Sequence, residues 1–137
     1  MAKQNVYIGF NGRCREALNF YQSILGGEST FLTVGDVPVP CNEGGSKDSI
    51  MHGCLISEGS RIMGTDMTGP EGYTPGNHIA LCLDCDSQEE IERLFGKLSE
   101  GGQVREPLMD AFWGGVFGAL TDKFGIQWLF NYTKPQG

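Results

Sequence analysis

The chain has little positive charge, no long apolar run and only two histidines. Ten Lys and Arg stand against 17 Asp and Glu, a formal net charge of −7 over 137 residues. That balance repels a phosphate backbone, so a nucleic-acid partner is not expected. No apolar stretch approaches the roughly 18 residues that cross a bilayer as a helix. No block of like charge suggests a membrane-binding patch, so a membrane partner is not expected either. The opening MAKQNVYIGF lacks an apolar stretch followed by a cleavage site, which points to a cytoplasmic location. Five cysteines, an odd number without such a signal, read as reduced thiols rather than a disulfide framework. Cys82 and Cys85 form a C-x-x-C, but the surrounding HIALCLDCD reads as a strand. Residues three apart on a strand point to opposite faces, so the two sulfurs should diverge. No second Cys or His pair stands at zinc-finger spacing.

What the sequence does contain is a repeat. NVYIGFNGRCREALNFYQSILGGES and NHIALCLDCDSQEEIERLFGKLSEGGQV each run from a β-like segment through a polar break to an amphipathic helix and a double glycine. Cys14, Ala17, Leu18, Tyr21, Ile24 and Leu25 fall at helical spacing, as do Ile91, Leu94, Phe95 and Leu98. Ser87 and Glu90 make a capping box at the start of the second helix. Gly26-Gly27 and Gly101-Gly102 sit where a left-handed helix end wants glycine. A strand follows each helix, over residues 29–35 and 103–109. Two hairpin patterns come next, MHGCLISEGSRIMGTDM and VFGALTDKFGIQWLFNY. In the second, Asp122 to Gly125 brackets a tight turn. The order is β-α-β-β-β, twice. Residues 36–49 and 66–76, rich in Pro, Gly and polar side chains, read as a loop inside the first module and a linker between modules. The chain is expected to be one domain over residues 1–137, with modules over 1–66 and 77–133.

FNGRCREALNFYQSILGG, IMHGCLISEGSRIMGTDM, EEIERLFGKLSEGGQV and FWGGVFGALTDKFGIQW, in this order, resemble the vicinal oxygen chelate superfamily, which holds glyoxalase I, bleomycin-binding proteins and extradiol dioxygenases. Within it the chain is similar to the PhnB-like branch, often described as 3-demethylubiquinone-9 3-methyltransferase. The resemblance implies an α+β fold: two βαβββ modules whose mostly antiparallel sheets form a half-open barrel around a cleft, helices outside. It also implies a homodimer. A methyltransferase using S-adenosylmethionine usually places a Gly-rich turn between a strand and a helix. The glycine pairs here come after helices, so methyl transfer is not expected.

The superfamily's metal sites imply two ligand positions per module, one at the start of the first strand and one four residues past the last turn glycine. Here these fall on Val6 or Tyr7, Met63, His78 and Leu129. Valine and leucine cannot coordinate, a thioether is a poor ligand for hard or borderline divalent ions, and one histidine is short of the usual three ligands. No metal or other cofactor is expected. His78 is expected on a strand with Ala80, Cys82 and Asp84 facing the cleft, while Ile79, Leu81 and Leu83 face a helix. His52 alternates with Cys54 and Ile56. Asp66 approaches the cavity mouth, where capping a loop is one role and catalysis another. Met51, Met63 and Met67 offer adaptable apolar surface. Phe112 and Trp113 form an aromatic loop before Gly114-Gly115, to cover a bound ring or pack across a subunit interface. Trp128 and Phe130 should pack under a helix, and Gly118 should mark a tight packing point. The expected partner is a small organic ligand held by His52, Met63, Asp66, His78, Phe112, Trp113 and Leu129. The alternative is a metal-dependent lyase, isomerase or dioxygenase drawing ligands from His52, His78 and Asp66.

Overall fold

A computed structural model describes residues 2–36 and 47–135. The loop expected over 36–49 therefore lies mostly outside the described residues, as does Cys41. The chain divides into two compact units at Thr74 and Pro75. Each repeats the element order read from the sequence.

The first unit holds β1 (Val6–Gly9), α1 (Cys14–Leu25), β2 (Glu28–Thr33), β3 (Ile50–Ser57) and β4 (Ser60–Thr65). A short 3-10 turn, Val34–Asp36, follows β2. The sheet order is β1-β4-β3-β2, with β1 parallel to β4 and the other pairs antiparallel. The α1 face bearing Cys14, Ala17, Leu18, Tyr21 and Ile24 is buried, each large apolar side chain contributing about 1.5–3 kcal/mol. It rests on Gly53, Leu55, Ile62 and Gly64. A Cβ on Gly53 would stand 2.8 Å from Leu18 Cδ1, and one on Gly64 2.6 Å from the Phe10 ring. The two bare positions let the helix settle onto the sheet.

The second unit holds β5 (Leu81–Cys85), α2 (Gln88–Leu98), β6 (Gln103–Asp110), β7 (Gly115–Thr121) and β8 (Gln127–Thr133), in sheet order β5-β8-β7-β6. Again the first and last strands run parallel. Ile91, Leu94, Phe95 and Leu98 of α2 are buried, together with Leu120, Trp128 and Phe130 from the sheet. The Phe95 and Phe130 rings meet edge-on at 5.1 Å. Gly118 is the tight point expected, because a Cβ there would lie 2.8 Å from Phe95 Cε2. Edge strand β6 shifts register twice around Pro107, which blunts an exposed ladder.

Two carboxylates fix these frames. Asp122, 3% exposed, accepts Phe124 N–H at 2.8 Å and Ile126 N–H at 3.0 Å through Oδ1, and Trp128 Nε1–H at 2.9 Å through Oδ2. One side chain so sets the turn that ends at Gly125 (φ 87°) and anchors the buried indole. In the first unit Asp66 accepts Cys14 N–H at 2.7 Å and Ile50 N–H at 2.8 Å. It caps α1 and pins the start of β3 together. The second helix is capped locally, as its sequence predicts: the Ser87 side chain accepts Glu90 N–H at 3.0 Å. Glu90 reaches back to Asp86 N–H at 2.8 Å, one residue before the usual capping-box donor.

Sequence expectations at two places in the second unit need correction. β5 begins at Leu81, not at His78. Its parallel register with β8 starts at Leu81 opposite Trp128, and residues 78–80 lie before the strand. Ile79, expected against a helix, is 71% exposed. Glycines 101 and 102 likewise come after Ser99 closes α2, with only Gly101 at positive φ (74°).

Candidate functional site

Each sheet turns one face to its helix. The candidate site residues fall largely on the other face. In the first unit the registers place Thr30, Cys54, Met63 and Tyr7 side by side across four strands. Two residues along β3 from Cys54, on the same face by strand alternation, is His52. Its imidazole stacks on the Tyr7 ring with centroids 6.0 Å apart and planes 23° from parallel. Tyr7 is 55% exposed, and Leu32 and Ile56 extend the same face with 42% and 50% exposure. The result is an apolar, polarisable floor carrying a phenol and an imidazole. At its β2–β3 end a hollow of about 460 Å³ is lined by Thr30, Cys54, Ile56, Glu28 and Glu58.

The other methionines do not join Met63. Met51 falls at the register break between β2 and β3, and its carbonyl accepts the Thr65 hydroxyl at 2.7 Å. Met67 donates its backbone N–H to the same hydroxyl at 3.1 Å. Asp66 has both carboxylate oxygens engaged by the amides of Cys14 and Ile50. Of the two roles its position allowed, capping is the one its bonds describe.

In the second unit Leu129 is half-buried, in register with Cys82 on one side and Ala119 on the other. Its neighbour on β5 is thus Cys82 rather than His78. His78 is exposed and lies three residues before the strand. The next row holds Asp84, Asn131, Phe117 and Met109. The Asn131 amide donates to Asp84 at 3.2 Å. Gln127 accepts the Thr121 hydroxyl at 3.1 Å and the Arg105 guanidinium.

Phe112 and Trp113 occupy the tip of the β6–β7 hairpin. Phe112 is 98% exposed and Trp113 47%. Their rings meet edge-on at 5.1 Å, and Trp113 meets Phe117 edge-on at 6.0 Å. An aromatic chain therefore runs from the tip to the open face of the sheet. Phe117 and Met109 belong with the candidates but were not among those singled out from the sequence, where Tyr7 entered only as a metal-ligand position. Alternation along VFGALT places Phe117 with Ala119, and the same period places Tyr7 opposite Val6 and Ile8.

Three of the described thiols are held protonated by their surroundings. Burial, then the Asp66 carboxylate, pushes the Cys14 thiol up to about 12. Burial, then Glu90, Asp84 and Asp86, raises Cys85 to about 11. Burial and Asp84 also raise Cys82. Cys82 is exposed and Cys85 buried, so the two diverge as strand geometry requires. A C-x-x-C redox pair needs a lowered thiol and neighbouring sulfurs, and has neither here. Among the described residues no three His, Cys, Asp or Glu side chains are grouped to hold a metal ion. No described helix is long and apolar enough to cross a membrane.

Comparison with known proteins places this geometry. The family model described as 3-demethylubiquinone-9 3-methyltransferase matches residues 2–130. Protein YjdN of Escherichia coli (strain K12) is 31% identical over 140 residues, covering 95% of each chain. The crystal structure of protein PA1353 from Pseudomonas aeruginosa superposes with a TM-score of 0.84 at 39% identity, covering 98% of this chain and all of that one. A Bacillus cereus protein described as a putative 3-demethylubiquinone-9 3-methyltransferase, PhnB protein, gives 0.73 at 27% identity, over 96% of this chain and 100% of that one. For the fold alone, a glyoxalase/bleomycin resistance protein from Albidiferax ferrireducens T118 gives 0.62 at 21% identity, over 97% and 98%.

Proposed function

We propose that this chain, which belongs to the PhnB-like family described as 3-demethylubiquinone-9 3-methyltransferase and has the α+β glyoxalase/bleomycin-resistance fold, binds a small organic molecule on the open faces of its sheets. It does so as a cytoplasmic homodimer, without a metal site of the superfamily type. The observation that carries this reading is the row of Tyr7, Met63 and Cys54 beside the Tyr7–His52 stack. Aromatic and thioether groups bind flat apolar molecules well. A phenol and an imidazole supply the few polar contacts that orient such a ligand.

The residues at the superfamily's ligand positions do not suit a divalent ion. Tyr7 and Met63 are direct neighbours in register, but they offer a phenol and a thioether. Leu129 offers nothing, and His78 stands off the strand. Asp66 is held by two amides. These features disfavour a metal-dependent lyase, isomerase or dioxygenase. The fold also disfavours methyl transfer of the usual kind. The N-terminus of α1, where a cofactor's negative group would sit, already receives the Asp66 carboxylate. Exposed Phe112, Trp113 and Met109 on one hairpin support self-association, and the free thiols suit a reducing compartment.

The test is calorimetric titration of chelator-stripped protein with zinc, nickel, manganese and iron(II), with molar mass read by light scattering. The expected result is no stoichiometric uptake and a mass of two chains. Tight uptake lost in both His52→Ala and His78→Ala would overturn the metal-free reading. A single-chain mass would overturn the dimer.

A further inference from the structure

The turn between β3 and β4 separates two hollows of opposite charge. One carries Glu28 and Glu58. The other, about 670 Å³, is lined by Lys3, Gln4, Asn5, Ser60 and Arg61, with the turn's Gly59 (φ 78°) at its rim. No carboxylate lines this second hollow, although acids outnumber bases in the chain. Two other cations of the first unit are committed elsewhere. Arg13 pairs with Glu16 at 2.7 Å, and Arg15 lies over the Phe31 ring at 4.8 Å. Among the described residues Lys3 and Arg61 have no ion pair, yet both face one concavity. Two cations, two amides and a hydroxyl give it a surplus of donors.

We propose that this hollow binds the oxyanion of a small metabolite, a phosphate or carboxylate group. Arg61 supplies the planar fork that fits such a group, and Lys3 adds a mobile second charge. The volume exceeds one phosphate and leaves room for an organic body, within the range of ligand sites. The hollow lies at the hairpin end of the sheet, where Arg61 stands in register with Ile56, and its polar donors are separate groups from the rings and thioether around Tyr7.

The experiment is an amide NMR titration with inorganic phosphate, with ionic strength held constant by potassium chloride. Saturable shifts of Asn5, Gly59 and Ser60 are expected. Arg61→Ala and Lys3→Ala should each weaken them by about tenfold, the scale of one charge-assisted contact. Both sites are on the surface, and unchanged Gly118 and Phe130 signals verify the fold. A parallel titration with acetate distinguishes the source. Stronger phosphate binding assigns a phosphorylated ligand, and equal or stronger acetate binding assigns a carboxylate, both within the proposal. A linear response, or one that survives Arg61→Ala unchanged, overturns it. Inorganic phosphate has no apolar part, so its result stands apart from success or failure of ligand binding on the open face.

Discussion

The two units share one element order but start their helices differently. α2 is capped by Ser87, three residues from the amide it bonds. α1 is capped by Asp66, 52 residues away in sequence. The first device is local and stabilises the helix alone. The second also holds Ile50, so the start of α1, the start of β3 and the end of β4 stand or fall together. The open faces differ as well. The first unit presents Tyr7 on His52 over Met63 and Cys54. The second presents Leu129 between Ala119 and Cys82, beside polar pairs that satisfy one another. A repeated frame thus leaves one face with functional groups that lack a hydrogen-bond partner among the described residues and the other with mostly paired ones. That contrast directs the search for a ligand to the first unit.

Substitutions can break or sharpen the contrast. The largest effect is expected at Asp122. Asp122→Ala leaves two amides and a buried indole N–H without their acceptor, and should cost about 3–5 kcal/mol in urea unfolding. Asp66→Ala should follow at about 2 kcal/mol, with amide exchange quickening at Cys14 and Ile50 together. Ser87→Ala should cost about 1 kcal/mol and quicken exchange only in the first turn of α2. Equal costs for the last two would erase the distinction between a local cap and a long-range one. Phe112→Ala should change stability by less than about 0.5 kcal/mol while weakening the proposed dimer in sedimentation.

The thiols supply a pH test of the same frame. Cys14 and Cys85 hold their protons to about 12 and about 11 in the folded chain, against an ordinary value of 9.0. The unfolded chain therefore loses those protons first as pH rises. Their contribution is complete below about pH 9 and falls as pH climbs toward 12. Cys14→Ala should flatten that alkaline loss. In the native protein, alkylation followed by peptide mass analysis should mark Cys82 and Cys54 before Cys85 and Cys14. Early modification of Cys14 would contradict its burial.

The fold was largely legible because its signals are local and periodic. Helical spacing marked the buried faces of α1 and α2, Ser87 and Glu90 marked a cap, and Asp122 to Gly125 marked a turn. Alternation placed Leu129 away from Trp128 and Phe130. The site was less legible, because it depends on register between distant strands. Nothing near His78 reveals that the β5–β8 ladder begins only at Leu81 and Trp128 and leaves His78 outside. Nothing near Asp66 reveals that its oxygens meet Cys14 and Ile50. The stack of Tyr7 on His52 likewise joins residues from two strands separated in the sheet by β4.

The central claim is that the Tyr7–His52 face binds a small organic molecule without metal. Methyl NMR of methionine-labelled protein, screened against planar aromatic compounds with a chelator present, tests it most directly. At least one compound should shift the Met63 methyl saturably, with binding weakened about tenfold or more by Tyr7→Ala, the loss expected of a stacking anchor. Metal-free binding would be contradicted if no compound moved Met63 until a divalent metal was restored.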